Sequence, residues 1–192
     1  MTVQLKNICK SYDNRQVLNN ISMAIPAGKF TCIMGASGIG KTTLLKIILG
    51  IIKPDSGSIK ASSAIKISTV FQEDRLLESE TALRNVLFVT SSSRANTARA
   101  EQLLKRAGLE EFMHKKTATL SGGMKRRVCI CRALIADYDL LILDEPYKGL
   151  DETTKENMIQ LILDCVPKTA AALCVTHDTS EAIRLGGHVI TL

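Results

Sequence analysis

One stretch limits the folds open to this chain more than any other. It is "GASGIGKTT", Gly35 to Thr43, set between the apolar run "KFTCIMG" and the helix-patterned "KTTLLKIILG". A strand entering, a glycine loop and a helix leaving form the context of a phosphate-binding loop of the form Gly35-x-x-x-x-Gly40-Lys41-Thr42. The glycines allow successive backbone N–H groups to turn inward around an anion. Lys41 can reach terminal phosphate oxygens, and the Thr42 hydroxyl can ligate magnesium. A turn that merely caps a helix would use similar residues, but strand and helix together favour a nucleotide. The candidate contacts are Gly35, Ala36, Ser37, Gly38, Ile39, Gly40, Lys41, Thr42 and Thr43.

A loop of this kind must leave the end of a buried strand, and the rest of the chain supplies a matching sheet. "TVQLKNI", "VLNNISMAI" and "KFTCIMG" alternate as strands, separated by turn signals at "DNR" and "PAG". "GSIKA" and "AIKISTVF" predict two further strands after the first helix. From Thr81 the pattern turns helical in "TALRNVLFV" and "TARAEQLLKRAGL", joined by a polar loop "TSSSRAN". A helix follows Ser121, then a fully apolar strand "LLIL", a helix over 153–163, the strand "AALCVT", a short helix and a last strand "HVITL". Apolar strands alternating with helices predict an α/β protein with a mainly parallel sheet covered on both faces. At 192 residues, with 45% hydrophobic and 23% charged, the chain can bury one core with a small insert.

Other polar residues gather at predicted strand ends, where open parallel sheets bind ligands. "LLILDEP" puts Asp144 and Glu145 there, the first suited to the magnesium side and the second to polarising an attacking water. Acids decorating a helix start would be the plainer reading. His177 follows "AALCVT" and is a candidate γ-phosphate contact, while His114 and His188 are read as structural. Gln72 ends "STVF", and Tyr12 lies in "KSYDN"; neither is informative alone. A second anion-suited segment, "LSGGMKRRVCICRAL", has Ser121, Gly122 and Gly123 opening a basic helix.

The net charge of +6 suits nucleotides, nucleic acid or an anionic surface without choosing among them. With no tryptophan and 4% aromatics, a single-strand stacking platform is not expected. The six cysteines lack Cys-x-x-Cys spacing and are expected as reduced, mostly buried thiols. The N-terminus lacks a signal-type apolar region, and "TLLKIILGII" is too short to cross a bilayer.

Taken together, these residues resemble the ATP-binding subunits of ABC transporters. Tyr12 matches the aromatic that stacks on adenine, Gly35 to Thr43 the Walker A loop, and Gln72 the Q-loop. "LSGGM" matches the signature, "LLILDEP" the Walker B strand with its catalytic glutamate Glu145, "GLD" ending at Asp151 the D-loop, and His177 the switch histidine. The match runs through essentially the whole chain in the family's order. It implies a P-loop NTPase core with an N-terminal antiparallel β subdomain and a small inserted helical subdomain. One ABC ATPase domain over 1–192 is expected, with 1–72 and 136–192 as catalytic core and β subdomain and 73–135 as the helical subdomain carrying the signature.

The resemblance implies ATP as substrate and Mg2+ as cofactor, the ion held by Thr42, Gln72 and Asp144, with Glu145, His177 and Lys41 catalytic. It also explains the second anion segment. In this family two ATPase domains pair head to tail, so Ser121, Gly122 and Gly123 would serve the partner's ATP and Asp151 would link the two sites. The implied partners are a second ATPase subunit (a homodimer), transmembrane permease subunits and an extracytoplasmic substrate-binding protein, with the chain peripheral on the cytoplasmic face of the cell membrane. No nucleic acid is expected. The alternative is a soluble ABC-type ATPase acting on nucleic acid or ribosomes, but the interval from Gln72 to Ser121 is too short for the coiled-coil arm of such relatives. Met124, where glutamine is commonest, and "VFQEDRLL" resemble importers of the nitrate, sulfonate and taurine type. Gly149 stands where alanine or serine is frequent. The chain ends directly after its last strand, without the helices that usually follow, so a short form or a truncation is expected and an added regulatory domain is not.

Overall fold

A computed structural model describes residues 2–13, 15–61 and 65–192; Asn14 of the expected first turn and Ala64 at the head of the expected fifth strand lie outside them. The chain divides into two compact units. The first holds Met1–Ile67, Asp139–Leu141 and Pro167–Leu192, and the second Ser68–Tyr138 and Ile142–Val166.

In the first unit, β1 (Thr2–Tyr12), β2 (Arg15–Pro26) and β4 (Ser56–Lys60) form an antiparallel sheet in the order β2-β1-β4. Strict alternation buries Val3 and Leu5 on β1, but the next buried residue is Ile8. The phase changes because Asn7 takes a left-handed backbone at φ 53, opposite Asn20 at φ 54. The Asn7 side-chain amide donates to Asn20 Oδ1 at 2.6 Å, and the pairing register shifts between Leu5 and Ile8. Asparagine tolerates this conformation better than most residues, so the paired kinks are placed where the chain can bear them.

A five-stranded sheet has the order β5 (Ile67–Val70), β6 (Leu140–Asp144), β7 (Ala171–Val175), β3 (Phe30–Met34) and β8 (His188–Thr191). Within the first unit β3 runs parallel to both β7 and β8. The Lys66 carbonyl accepts from Asp139 N, and the Asp139 carbonyl from Ala171 N, which ties the starts of the remaining strands in place. All five residues of β7 are buried, as expected of a strand covered on both faces. Helix α1 (Lys41–Ile48) buries Leu44, Leu45, Ile47 and Ile48, and the short α6 (Thr179–Arg184) follows β7.

The second unit is built on α2 (Ala82–Leu87), α3 (Arg94–Arg106), α4 (Gly122–Ile135) and α5 (Glu152–Cys165). Two single-turn 3-10 segments, Glu110–Phe112 and Thr117–Thr119, lead into α4. The expected loop 90–96 is a correction: α3 begins at Arg94, because the Ser93 hydroxyl caps it by accepting from Asn96 N at 3.1 Å. The Asn85 side chain, fully buried, donates to the carbonyls of Leu77 and Thr81 and accepts from Leu77 N, closing the turn before α2. Among the described residues, no helix is long and apolar enough to cross a membrane. None of the six cysteines is in a disulfide; four are buried, and Cys9 and Cys165 are half-buried.

Candidate functional site

The residues singled out in the sequence fall on both units. Tyr12, the Gly35–Thr43 loop and His177 belong to the first, while Gln72, Ser121 to Gly123, Asp144, Glu145 and Asp151 belong to the second.

The glycine loop leaves the carboxyl end of β3 and turns through three positive-φ glycines, Gly35 (155°), Gly38 (79°) and Gly40 (115°). Gly40 is fixed by packing as well as by backbone. A Cβ there would lie 2.8 Å from Leu18 Cδ2 and 2.9 Å from the Val17 carbonyl oxygen. Gly38 has open space around it, and Ala36 to Ile39 are exposed. Helix α1 starts on Gly40 with no side chain capping it, so its first-turn N–H groups are left for an outside acceptor. The Lys41 ammonium donates to the carbonyls of Gly35 (2.7 Å) and Ala36 (2.9 Å), folded back over the loop. An uncapped helix start, bare glycine backbone and a cation within the same turn form a cradle for phosphate.

His177 follows β7 directly, and the register pairs Ile33 with Val175, so loop and histidine leave adjacent parallel strands at the same edge. The histidine is exposed on a turn held at both sides. Thr176 Oγ1 donates to the buried Glu181 carboxylate and accepts from Asp178 N, and Asp178 caps α6 through Ser180 N at 2.8 Å. Tyr12 ends β1, 45% exposed, with the Lys10 ammonium 5.6 Å from its ring centre. Its cross-strand partner Arg15 lies just before Val17 and Leu18, the residues on which Gly40 packs.

In the second unit Asp144 ends β6 as a buried carboxylate, 8% exposed. Glu145 follows at φ 46, a left-handed conformation unusual for a residue of this kind. Strain of this type recurs at reactive positions. Gln72 is exposed, but its backbone is anchored. Arg126, on α4 and 3% exposed, donates to the carbonyls of Phe71 and Gln72 at 2.6 Å each and pairs with Asp74 at 3.3 Å. The sequence reading missed Arg126, because in "MKRR" it looks like one charge in a solvated run.

Ser121 is the N-cap of α4, its hydroxyl accepting from Met124 N at 3.3 Å, and Gly122 and Gly123 are the first helical residues. A Cβ on Gly123 would meet the Gly149 carbonyl oxygen and Leu150 Cδ2, both at 3.3 Å, so the signature segment rests on the residues that precede Asp151. Asp151 caps α5 by accepting from Thr154 N (2.9 Å) and Oγ1 (2.7 Å), and those bonds hold its carboxyl below the usual range. Arg127 bridges the same region, donating to the carbonyls of Ala107 and Gly123.

The donor set suits a nucleotide with a hard cation. In the first unit the glycine cradle and Lys41 match polyphosphate, with the Thr42 hydroxyl beside them; in the second, Gln72 and Asp144 offer oxygen donors of the kind a hard cation takes.

Comparison with known proteins agrees with this chemistry. The family model described as ABC transporter matches residues 18–148. The chain is 42% identical over 191 residues to an aliphatic sulfonates import ATP-binding protein of Pseudomonas savastanoi, spanning 99% of this chain and 70% of that one. A protein of the same name from Nocardia farcinica is 38% identical over 193 residues, covering 100% of this chain and 78% of its own. Among solved structures, a dimeric bacterial ABC transporter cassette superposes with a TM-score of 0.85 at 33% identity, covering 99% of this chain and 94% of its own. A post-hydrolysis dimer bound to ADP and Pi matches equally well, with a TM-score of 0.85 at 33% identity and the same 99% and 94% coverage.

Proposed function

The chain belongs to the ABC transporter family, and on that premise we propose that it is the Mg-dependent ATPase subunit powering an importer of a small solute, with sulfonates as the solute class. The sulfonate class rests on the names of the relatives, and Met124 and the "VFQEDRLL" stretch support the same branch. The observation that carries the reading is the glycine loop: an uncapped helix start with Lys41 folded across it has no other evident use.

In this reading the first-turn N–H groups of α1 and Lys41 bind the phosphates, and Tyr12 stacks on the base. Thr42, Gln72 and Asp144 would hold Mg2+, which would neutralise phosphate charge. Glu145 orients and polarises the attacking water, and His177 steadies the γ-phosphate. Arg126 acts through Gln72 by fixing the backbone on which that side chain stands. Ser121, Gly122 and Gly123 serve the nucleotide of a second copy, with Asp151 linking the sites, so the working unit is a homodimer. Residues 73–135 form the helical subdomain, and 1–72 with 136–192 the core and β subdomain.

Membrane partners are supported by the exposed apolar residues Leu77, Phe88 and Val89, of which Phe88 is 69% exposed. A permease helix docking there would place the chain peripherally on the cytoplasmic face, working with an extracytoplasmic binding protein. The nucleic-acid alternative is disfavoured: the interval from Gln72 to Ser121 holds only α2, α3 and two 3-10 turns, with no protruding arm.

The deciding experiment is Glu145→Gln. A positioned general base supplies about 10²–10⁴ in rate, or roughly 3–5 kcal/mol. The variant is expected to bind ATP normally, to accumulate as a closed dimer, and to lose turnover by that factor. Normal turnover would remove Glu145 from the site. DNA-stimulated hydrolysis by the parent chain, without a membrane partner, would overturn the importer reading.

A further inference from the structure

Two thiols meet beneath the phosphate loop. Cys32 on β3 and Cys174 on β7 are register partners in the parallel pair, and both are fully buried. Partners on neighbouring strands project to the same face about 4.8 Å apart, inside the roughly 4.4–6.8 Å Cα separation that a disulfide accepts. The Cys32 thiol is hydrogen-bonded with Cys174, which draws it below the ordinary thiol range against both burial and the Glu181 carboxylate. The other buried cysteines behave in the opposite way. Burial pushes Cys129 up to about 12 and Cys131 higher still, and their sulfurs face Asp74 and the Leu103 carbonyl rather than another thiol.

On one side the pair is closed by backbone packed directly against it. A Cβ on Gly187 would lie 2.5 Å from Cys32 Sγ, so only bare backbone passes there, between the short helix α6 and β8. Local opening of that turn would admit a small oxidant. The position is also mechanically pointed, because Gly35 lies three residues beyond Cys32 and His177 three residues beyond Cys174.

We propose that Cys32 and Cys174 are a site of reversible oxidation by a peroxide, closing to a disulfide that clamps β3 to β7 and arrests ATP turnover. One thiol, as thiolate, attacks a peroxide oxygen; the O–O bond breaks, leaving a sulfenic acid and a first water. The second thiol displaces the sulfenic oxygen as a second water while the S–S bond forms. Two protons and two electrons leave the thiols and reduce one hydrogen peroxide. A dithiol reductant reverses the step by thiol–disulfide exchange. Bonding at about 2.05 Å draws the sulfurs in by more than roughly 1 Å from thiol contact. A misplacement of about 1 Å in a positioned site is worth about 10²-fold in rate.

The inhibition rests on the ATPase reading above; the disulfide itself does not. The test treats the full chain with hydrogen peroxide, maps its peptides without reduction, and measures ATPase activity before and after dithiothreitol. The expected result is a linked pair of peptides carrying Cys32 and Cys174, with turnover about a hundredfold lower and restored by dithiothreitol. Cys174→Ala and Cys32→Ala should keep their activity under the same treatment, whereas Cys9→Ser should respond like the parent. Absence of the linked peptides, a link without loss of turnover, or full inactivation of Cys174→Ala would each overturn the proposal. The map on the parent chain decides the disulfide even if a variant fails to fold. An untreated parent with no ATPase activity would count against the functional reading instead.

Discussion

The starts of α1 and α4 are both glycine-rich and both suited to an anion, yet they are finished differently. Before α1 the chain bends through Gly35, Gly38 and Gly40 at positive φ, no side chain caps the helix, and Lys41 lies folded over the loop. Before α4 the chain arrives extended, Ser121 caps the helix with its hydroxyl, and Gly122 and Gly123 are already helical. The first is a concave cradle that can surround a phosphate. The second is an end already partly satisfied by its own cap, with nothing within 4 Å of a Cβ on Gly122. Glycine content alone does not separate the two; backbone conformation and capping do.

Substitutions can break that contrast, beginning with the largest effect. Gly40→Ala forces a Cβ to 2.8 Å from Leu18 at φ 115. Left-handed strain of about 1–2 kcal/mol and overpacking of about 1–3 kcal/mol should together lower stability by roughly 2–5 kcal/mol in urea unfolding. Unaltered stability would mean that the cradle is not rigidly built. Lys41→Ala removes a charge-assisted contact worth about 1.5–3 kcal/mol, so calorimetry should find ATP binding weaker by about 10–100-fold. An unchanged dissociation constant would take Lys41 out of the site.

Ser121→Arg is expected to lose about 1 kcal/mol of stability with the cap. It should leave ATP binding by the single subunit intact and abolish ATP-driven association in sedimentation experiments; persistent association would refute the role proposed for the α4 end. Gly122→Ala should be the mildest change, because nothing lies within 4 Å of its added Cβ. Its stability should stay within about 0.5 kcal/mol of the parent. Any fall in turnover beyond that would belong to the second copy.

Much of this was legible in the sequence for a definite physical reason. Buried parallel strands read as apolar runs, so "FTCIM", "LLILD" and "AALCV" announced both the sheet and the ends where polar residues cluster. The loop, Asp144, Glu145 and His177 could be assigned to strand ends by counting along the chain. What could not be read depends on which segments meet. Arg126 gains its importance from reaching two carbonyls more than a helix away in sequence, and no local pattern distinguishes it from Arg127 or Lys125. Cys32 and Cys174 become a pair only because β3 adjoins β7. The kink at Asn7 and Asn20 hides inside strands whose composition looks regular, and Ser93 looked like loop until its hydroxyl was seen to cap α3.

Glu145 adds a consequence of another kind. Its φ of 46 is one that glycine adopts without strain. Replacing it with glycine would relieve about 1–2 kcal/mol, against roughly 0.5–1 kcal/mol of added freedom in the unfolded chain. A programme that ranked variants of this protein by melting temperature would therefore tend to promote Glu145→Gly over the natural residue. On the role proposed for Glu145, it would enrich chains that hold nucleotide and do not spend it. On that same role, durability and turnover pull in opposite directions at this one position.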